Sequence, residues 1–379
     1  MGGGAVKSWS RWPAYSDACR RDVQRLLRDG MRLTALQANL KVGPRPREGS
    51  WCWKLEELAT RMTGREAIAC ANATLGLTAA LKALDLPSGS EVATTAFTFS
   101  ATIAAALHAG AHPVFCDIYP DTMTLDSRSY LRLTRGCSAI LPVDLFGRPH
   151  DAVVPPAVFE PVIQDACQAV GSDAAGPKAP GDLVVWSFNG RKNVPAGEGG
   201  MVLTKDRDFA QRARLWLSHA ENFGTDWVGT NGHLNELSAC LAWHGLRAVK
   251  KRNAIRQRRA ALLNRLLKDI EQIRVFPDPE DHAFYVYPLI LHAGVDRARL
   301  VRALTKLGVE TQPGYITPPL HEYPAFRNCR RAPLPVTEEL SRATLLLLPT
   351  QITSETTERD VRWLAARVRT GFTLTGGRP

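Results

Sequence analysis

The sequence predicts an α/β protein in which a mainly parallel sheet, covered by helices on both faces, is followed by a smaller α+β domain. Three observations carry this. From Glu66 onward, short apolar runs alternate with stretches of helical periodicity. Several of the apolar runs, "DLVVWSF" among them, are nearly unbroken, as strands buried on both faces require. After a long helix around Leu237 to Ile270 the texture changes to one strand-like run and two amphipathic helices. The division is drawn at 1–248 and 249–379, with residues 1–60 as an irregular arm of the first domain.

In chain order, the arm holds Trp9, Trp12, Trp51 and Trp53 among basic residues and glycines, and "KVGPRPREGS" (Lys41 to Ser50) reads as a loop. Aromatics beside arginines can stack nucleic-acid bases; packing of the tryptophans on the main body is the simpler reading. "EAIACAN" is then a strand, "ATLGLTAALKAL" a helix, "SEVATTA" a strand, "FSATIAAALHAG" a helix and "HPVFCDI" a strand. "SAILPVDLFG", "EPVIQDA", "DLVVWSF" and "GMVLTK" complete the sheet. In the second domain "HAFYVYPLIL" reads as a strand, and "DRARLVRALTKLG" and "TERDVRWLAARVRTGF" as helices.

A chain of 379 residues with 45% hydrophobic and 22% charged residues has ordinary globular composition and can bury a sizeable core. Its net charge of +11 suits an acidic or phosphorylated partner. The densest basic run, "VKKRNAIRQRR" (Val249 to Arg259), continues into apolar residues at helical spacing, so it reads as the solvated face of a helix rather than a nucleic-acid stripe. The eight cysteines are scattered without a C-x-x-C, and neither a signal peptide nor a membrane-length apolar run is present. A reduced, soluble, cytoplasmic protein without membrane or nucleic-acid partners is expected. No histidine pair has zinc-ligand spacing, so no metal is expected. Asp117, Asp121 and Asp126 read as turn and cap residues. His108 and His112 read as surface residues, and His321 as either a substrate contact or a packing residue.

Ligands of open α/β sheets sit beyond the carboxyl ends of the strands, so polar residues placed there are the candidates. Asp165 ends one apolar run, with Gln168 three residues on; alone, Asp165 reads as a helix N-cap. Ser187 and Lys192 end another run, before the Gly197-Glu198-Gly199-Gly200 turn. Lysine forms Schiff bases with carbonyls. "NATLGL" (Asn72 to Leu77) opens a helix, whose free amides bind phosphate. "TTAFTFSAT" offers aromatic rings beside them. Pyridoxal phosphate needs this set: a lysine for its aldehyde, a carboxylate for its ring nitrogen, donors for its phosphate.

With these pieces in order, the chain resembles the DegT/DnrJ/EryC1/StrS family of sugar aminotransferases from about Glu56 to Arg367, most specifically in S-F-x-x-x-K…G-E-G-G. The resemblance implies the fold-type I aminotransferase fold, with a seven-stranded type of sheet, and pyridoxal 5'-phosphate as cofactor. It implies that Lys192 carries the cofactor and shuttles the proton, Asp165 keeps the ring nitrogen protonated, and Gln168 meets the ring hydroxyl. Ser187, Ala73 and Thr74 would hold the phosphate, and Phe99 would stack on the ring. It further implies a homodimer with shared active sites, in which His233 reaches the partner's phosphate. Asp144 replaces a histidine usual in the family, on the substrate side, His233 stands where arginine or asparagine is usual, and the Gly43 to Trp53 loop looks longer. The expected reaction moves an amino group from L-glutamate or glutamine to a keto-sugar linked to a nucleoside diphosphate. The alternatives are a keto-cyclitol or nucleoside-derived ketone as acceptor, or a non-catalytic regulatory protein that binds the cofactor.

Overall fold

A computed structural model of the chain describes residues 15–28, 36–39, 43–133, 136–150, 160–220, 228–276, 281–348 and 357–376. Trp9 and Trp12 of the predicted arm lie outside these residues, as do Lys41 and Val42 of the predicted loop. The elements run α1 (Asp17–Arg28), β1 (Leu36–Asn39), β2 (Gly43–Pro46), α2 (Trp51–Thr63), β3 (Glu66–Cys70), α3 (Ala73–Ala83), β4 (Glu91–Thr95), α4 (Ser100–His108), β5 (His112–Cys116), α5 (Ser127–Leu133) and β6 (Cys137–Ile140). They continue with β7 (Ile163–Asp165), β8 (Leu183–Ser187), β9 (Gly200–Thr204), α6 (Arg207–Leu217), α7 (Glu236–Leu267), β10 (Ile273–Val275) and β11 (Tyr287–Leu291). The last are α8 (Arg297–Lys306), β12 (Gln312–Pro313), α9 (Pro335–Glu339), β13 (Leu345–Leu348) and α10 (Glu358–Leu374).

The central sheet has the order β3-β9-β8-β7-β6-β4-β5. Its two halves join where Ile140 and Val143 bridge in parallel to Val162 and Asp165. Only β9 runs antiparallel to the rest. The unbroken apolar strands serve two cores, because side chains alternate between faces. Val184 and Trp186 of β8 pack with Leu55 of α2 and Leu246 of α7. Leu183 and Val185 face Leu77 of α3 and Ala213 of α6. The carboxyl ends of β3, β4, β7 and β8 therefore open on one edge.

The predicted arm is mostly regular structure. Gly43–Pro46 is not loop but pairs with Leu36–Asn39 as an antiparallel hairpin, and Trp51 and Trp53 open α2. That helix forms because its orphan amides are met: Ser50 Oγ accepts from Trp53 N–H, and the Glu236 carboxylate accepts from Trp51 and Cys52 N–H. Gly64 ends it with φ +68°, a conformation that glycine adopts freely. Trp51 packs edge-on against Trp243 of α7 at 5.5 Å.

α7 is one continuous helix of 32 residues, so the division drawn at 248 and 249 falls inside it. Val249 lies in the core shared with the central sheet, while Ala260, Leu263 and Leu267 lie in that of a second, antiparallel sheet of order β10-β11-β13-β12. The basic run is thus not simply a solvated face: Asn253 and Arg256 are buried. The strand predicted from His282 begins only at Tyr287. Residues 282–285 instead return to the turn at Leu145–Gly147 in the first domain, Ala283 N–H donating to Gly147 O and Tyr285 N–H to Phe146 O.

His282 is fully buried on that return, stacked on Phe284 at 3.8 Å, and its Nδ1 accepts from Phe284 N–H at 2.8 Å. Burial first, then the Arg148 charge, hold it well below the usual imidazole range. The unfolded chain, with an ordinary histidine near pKa 6.5, therefore binds more protons than the folded one below that pH, and stability falls on acidification. Chemical denaturation at pH 7.5 and 5.5 should give a smaller loss for His282→Asn, whose amide can still meet Phe284; an identical loss would exclude His282 as the cause. All eight cysteines are free thiols. Among the described residues, no helix is long and apolar enough to cross a membrane.

Candidate active site

Asp165 ends β7 at 5% exposure. A carboxylate at that depth needs donors. Its Oδ2 accepts from Thr102 Oγ1 at 2.8 Å, and its Oδ1 from Cys167 N–H at 3.2 Å. Thr102 is in turn 2.9 Å from the Thr98 hydroxyl, one helical turn back. Asp165 caps no helix: the bond to the amide two residues on makes an Asx-turn.

Gln168 follows on that turn. Its Oε1 accepts from Phe146 N–H at 2.8 Å and its Nε2 donates to the Tyr315 hydroxyl at 3.1 Å, which fixes the amide both ways. Tyr315 meets Phe97 and Phe146 edge-on, at 6.3 and 5.1 Å, and burial pushes its phenol above the usual range. Lys192, half-buried, carries its Nζ 4.6 Å from the centre of the Tyr285 ring. Cys167 ties the two groups together: burial first, then Asp165, push its thiol well up, and Lys192 opposes them.

A second corner forms around Ser187, the last residue of β8, which pairs with Gly200 of β9. A side chain at Gly200 would place its Cβ 2.8 Å from the Ala73 nitrogen, so α3 begins directly against these strand ends. Asn72 caps α3 by accepting from Leu75 N–H at 2.9 Å. The amides of Ala73 and Thr74 have no intrahelical acceptor. Phe99 stands at the start of α4 with its ring 54% exposed, beside Thr98. His233 follows Gly232, whose carbonyl accepts from Ala71 N–H at the turn into α3. Its ring meets His219 edge-on at 6.0 Å, its Nε2 is buried without a hydrogen bond, and burial followed by His219 lowers its pKa.

Asp144, in place of the histidine usual in the family, faces the interior. It is fully buried, its Oδ1 accepting from His150 N–H at 3.0 Å and lying 2.6 Å from His150 Nδ1, its Oδ2 accepting from Gln164 Nε2 at 2.7 Å. His321 is buried, with its Nε2 3.3 Å from Glu338 and 3.7 Å from Glu322. Asp117 caps α9, accepting from Val336 and Thr337 N–H, and Asp126 caps its own turn at Arg128. Sequence reasoning missed Thr102, Tyr285 and Tyr315. Thr102 alone carried a signal, a polar residue in the first turn of a helix that opens at a strand end.

The donor set fits pyridoxal phosphate. An acceptor-only carboxylate, a lysine amine and an amide–hydroxyl pair stand at neighbouring strand ends, and the close approach at Gly200 keeps the α3 amides beside Ser187.

The chain matches the profile of the DegT/DnrJ/EryC1/StrS aminotransferase family over residues 33–369. The pleiotropic regulatory protein of Geobacillus stearothermophilus is 31% identical, over 79% of this chain and 84% of that protein. The L-glutamine:2-deoxy-scyllo-inosose aminotransferase of Streptomyces lividus is 28% identical, over 97% of this chain and 95% of that protein. The crystal structure of DesI in the presence of its TDP-sugar product superposes with a TM-score of 0.81 at 29% identity, covering 96% of this chain and 93% of that one.

Proposed function

The chain belongs to the DegT/DnrJ/EryC1/StrS family of pyridoxal-phosphate-dependent aminotransferases, and we propose that it transfers an amino group from L-glutamate or L-glutamine to a nucleoside-diphosphate-linked keto-deoxysugar. Its seven-stranded sheet with one antiparallel strand and its appended antiparallel domain are the fold-type I arrangement. The observation that carries the reading is the buried Asp165 carboxylate on the strand next to the one that leads to Lys192.

When bound, pyridoxal phosphate supplies an electron sink that acidifies the carbon bearing the amine. Asp165, fixed by Thr102 and Cys167, holds a proton on the ring nitrogen. Gln168, fixed by Phe146 and Tyr315, presents its amide to the ring hydroxyl. Ser187 and the first amides of α3 would hold the phosphate, and the exposed Phe99 would stack on the ring. Lys192, whose Nζ lies 4.6 Å from the centre of the Tyr285 ring, would hold the aldehyde end of the group and would serve as the base that moves the proton. His233 would serve the phosphate across a homodimer on the family resemblance alone, because its Nε2 is buried within its own chain. The TDP-sugar product of DesI supports a nucleotide-linked acceptor, and the net charge of +11 suits a diphosphate.

A second acceptor class, a keto-cyclitol aminated from glutamine, is favoured by the match to the Streptomyces lividus enzyme along nearly the whole chain. The test is the absorption spectrum of protein loaded with pyridoxal phosphate. L-Glutamate or L-glutamine is expected to convert it to the pyridoxamine spectrum, and only the correct keto compound to restore it. Restoration by a nucleotide-linked keto-sugar supports the first reading, and restoration by a keto-inositol alone replaces it with the second. Indifference to both donors would favour a non-catalytic role.

A further inference from the structure

Arg256 sits in the basic run of α7, yet its side chain is buried. Desolvation, with Arg252 adding to it, pushes its pKa down to about 10, so it remains charged at neutral pH. Burying a guanidinium is costly, and an apolar side chain would fill the same space more cheaply. What the charge does there is read from its contacts. Nη1 donates to Asn193 Oδ1 at 3.0 Å and to Phe284 O at 3.1 Å.

Those two acceptors flank the reactive lysine. Asn193 follows Lys192 in the chain, and Phe284 precedes Tyr285, whose ring lies under the lysine amine. One nitrogen thus fastens the lysine loop to the segment that carries the ring. Two further side chains of α7 reinforce the junction. Asn253 Oδ1 accepts from Asn193 Nδ2 at 3.0 Å, and Gln257 Nε2 donates to His282 O at 3.0 Å. Asn193 Nδ2 also reaches Ala283 O at 3.1 Å.

We infer that Arg256 is a positioning residue for Lys192: by holding Asn193 and Phe284 at once, it fixes the lysine amine over the Tyr285 ring. The inference rests on the aminotransferase reading for its functional meaning, but not for its geometry.

Arg256→Lys and Arg256→Gln test it, with Asn193→Ala as the variant that breaks the same bridge without touching the buried charge. The first readout needs no cofactor. Lys192 of cofactor-free protein is labelled with acetic anhydride at pH 8 and quantified by mass spectrometry. Loss of the ring contact should raise the labelling rate by about threefold, as expected for a cation–π contact of modest strength. The second uses protein loaded with pyridoxal phosphate, where kcat should fall on the order of 100-fold, as misplacement of a reacting group does. The donor KM should change less than about twofold, with Arg256→Lys recovering part of the loss. Unchanged labelling and kcat in a variant that merely melts earlier would overturn the inference and leave Arg256 a structural residue. Should the Arg256 variants not fold, the labelling of Asn193→Ala decides. Wild-type protein that gives no absorbance change with pyridoxal phosphate would refute the aminotransferase reading, while the labelling comparison still decides the role of Arg256.

Discussion

Lys192→Ala is expected to lower amino transfer by about 10⁴-fold, the upper end of what one proton-transfer group supplies, because on the proposed reading this residue would also carry the cofactor. The fold should survive. Lys192 is half-buried, its backbone N–H bond to Asn189 O at 2.8 Å remains in alanine, and its Nζ contact with Tyr285 contributes only about 0.5–1 kcal/mol. Single-turnover kinetics with L-glutamate, beside a melting curve close to wild type, would establish this. Lys192→Arg sharpens the test: it keeps a cation over Tyr285, yet a guanidinium does not release its proton, so it should be as inactive as alanine. Retention of more than about 1% of the rate in either variant would remove Lys192 from the chemistry.

The largest effect on stability is expected at Arg214. Its guanidinium meets the Glu56 carboxylate through two nitrogens, at 3.1 and 2.9 Å, and also donates to Ala67 O at 3.0 Å. Glu56 Oε1 in turn accepts from Ala69 N–H at 2.9 Å. The pair is about nine-tenths buried and joins α2 to α6 across β3. Removing one partner leaves a buried charge, so Arg214→Ala should cost about 3–5 kcal/mol in urea denaturation. The double variant Glu56→Leu with Arg214→Met should recover much of that. A loss below about 1 kcal/mol for the single variant would show that water reaches the orphaned carboxylate.

The parts of the site legible in the sequence are those whose neighbours are local. Asp165, Gln168, Ser187 and Lys192 stand where apolar runs end, and the alternation of runs and helices places those ends on one edge. Legibility fails where a partner lies far along the chain. Thr102 looks like one more small residue of an alanine-rich helix until Asp165, 63 positions away, is brought to it. Tyr315 meets Gln168 across 147 positions, a distance no periodicity spans. The basic run misled for a related reason. Charged residues are seldom buried unless paired, and the acceptors of Arg256 lie in Asn193 and Phe284, which nothing local announces. Gly43–Pro46 misled because its glycine and prolines read as turn residues, while the pairing with Leu36–Asn39 overrides that preference.

The bond between Gln168 and Tyr315 also has a consequence for how the protein is born. Synthesis proceeds at about 5–20 residues per second, so Tyr315 is added on the order of 10 s after Gln168. Through that interval Gln168 lacks the hydroxyl that orients its amide, and until residue 285 is added the lysine loop also lacks the ring of Tyr285. A ribosome stalled before residue 285 would therefore display the sheet without a finished site, and the cofactor would first find its complete set of partners only when the second domain is well under way.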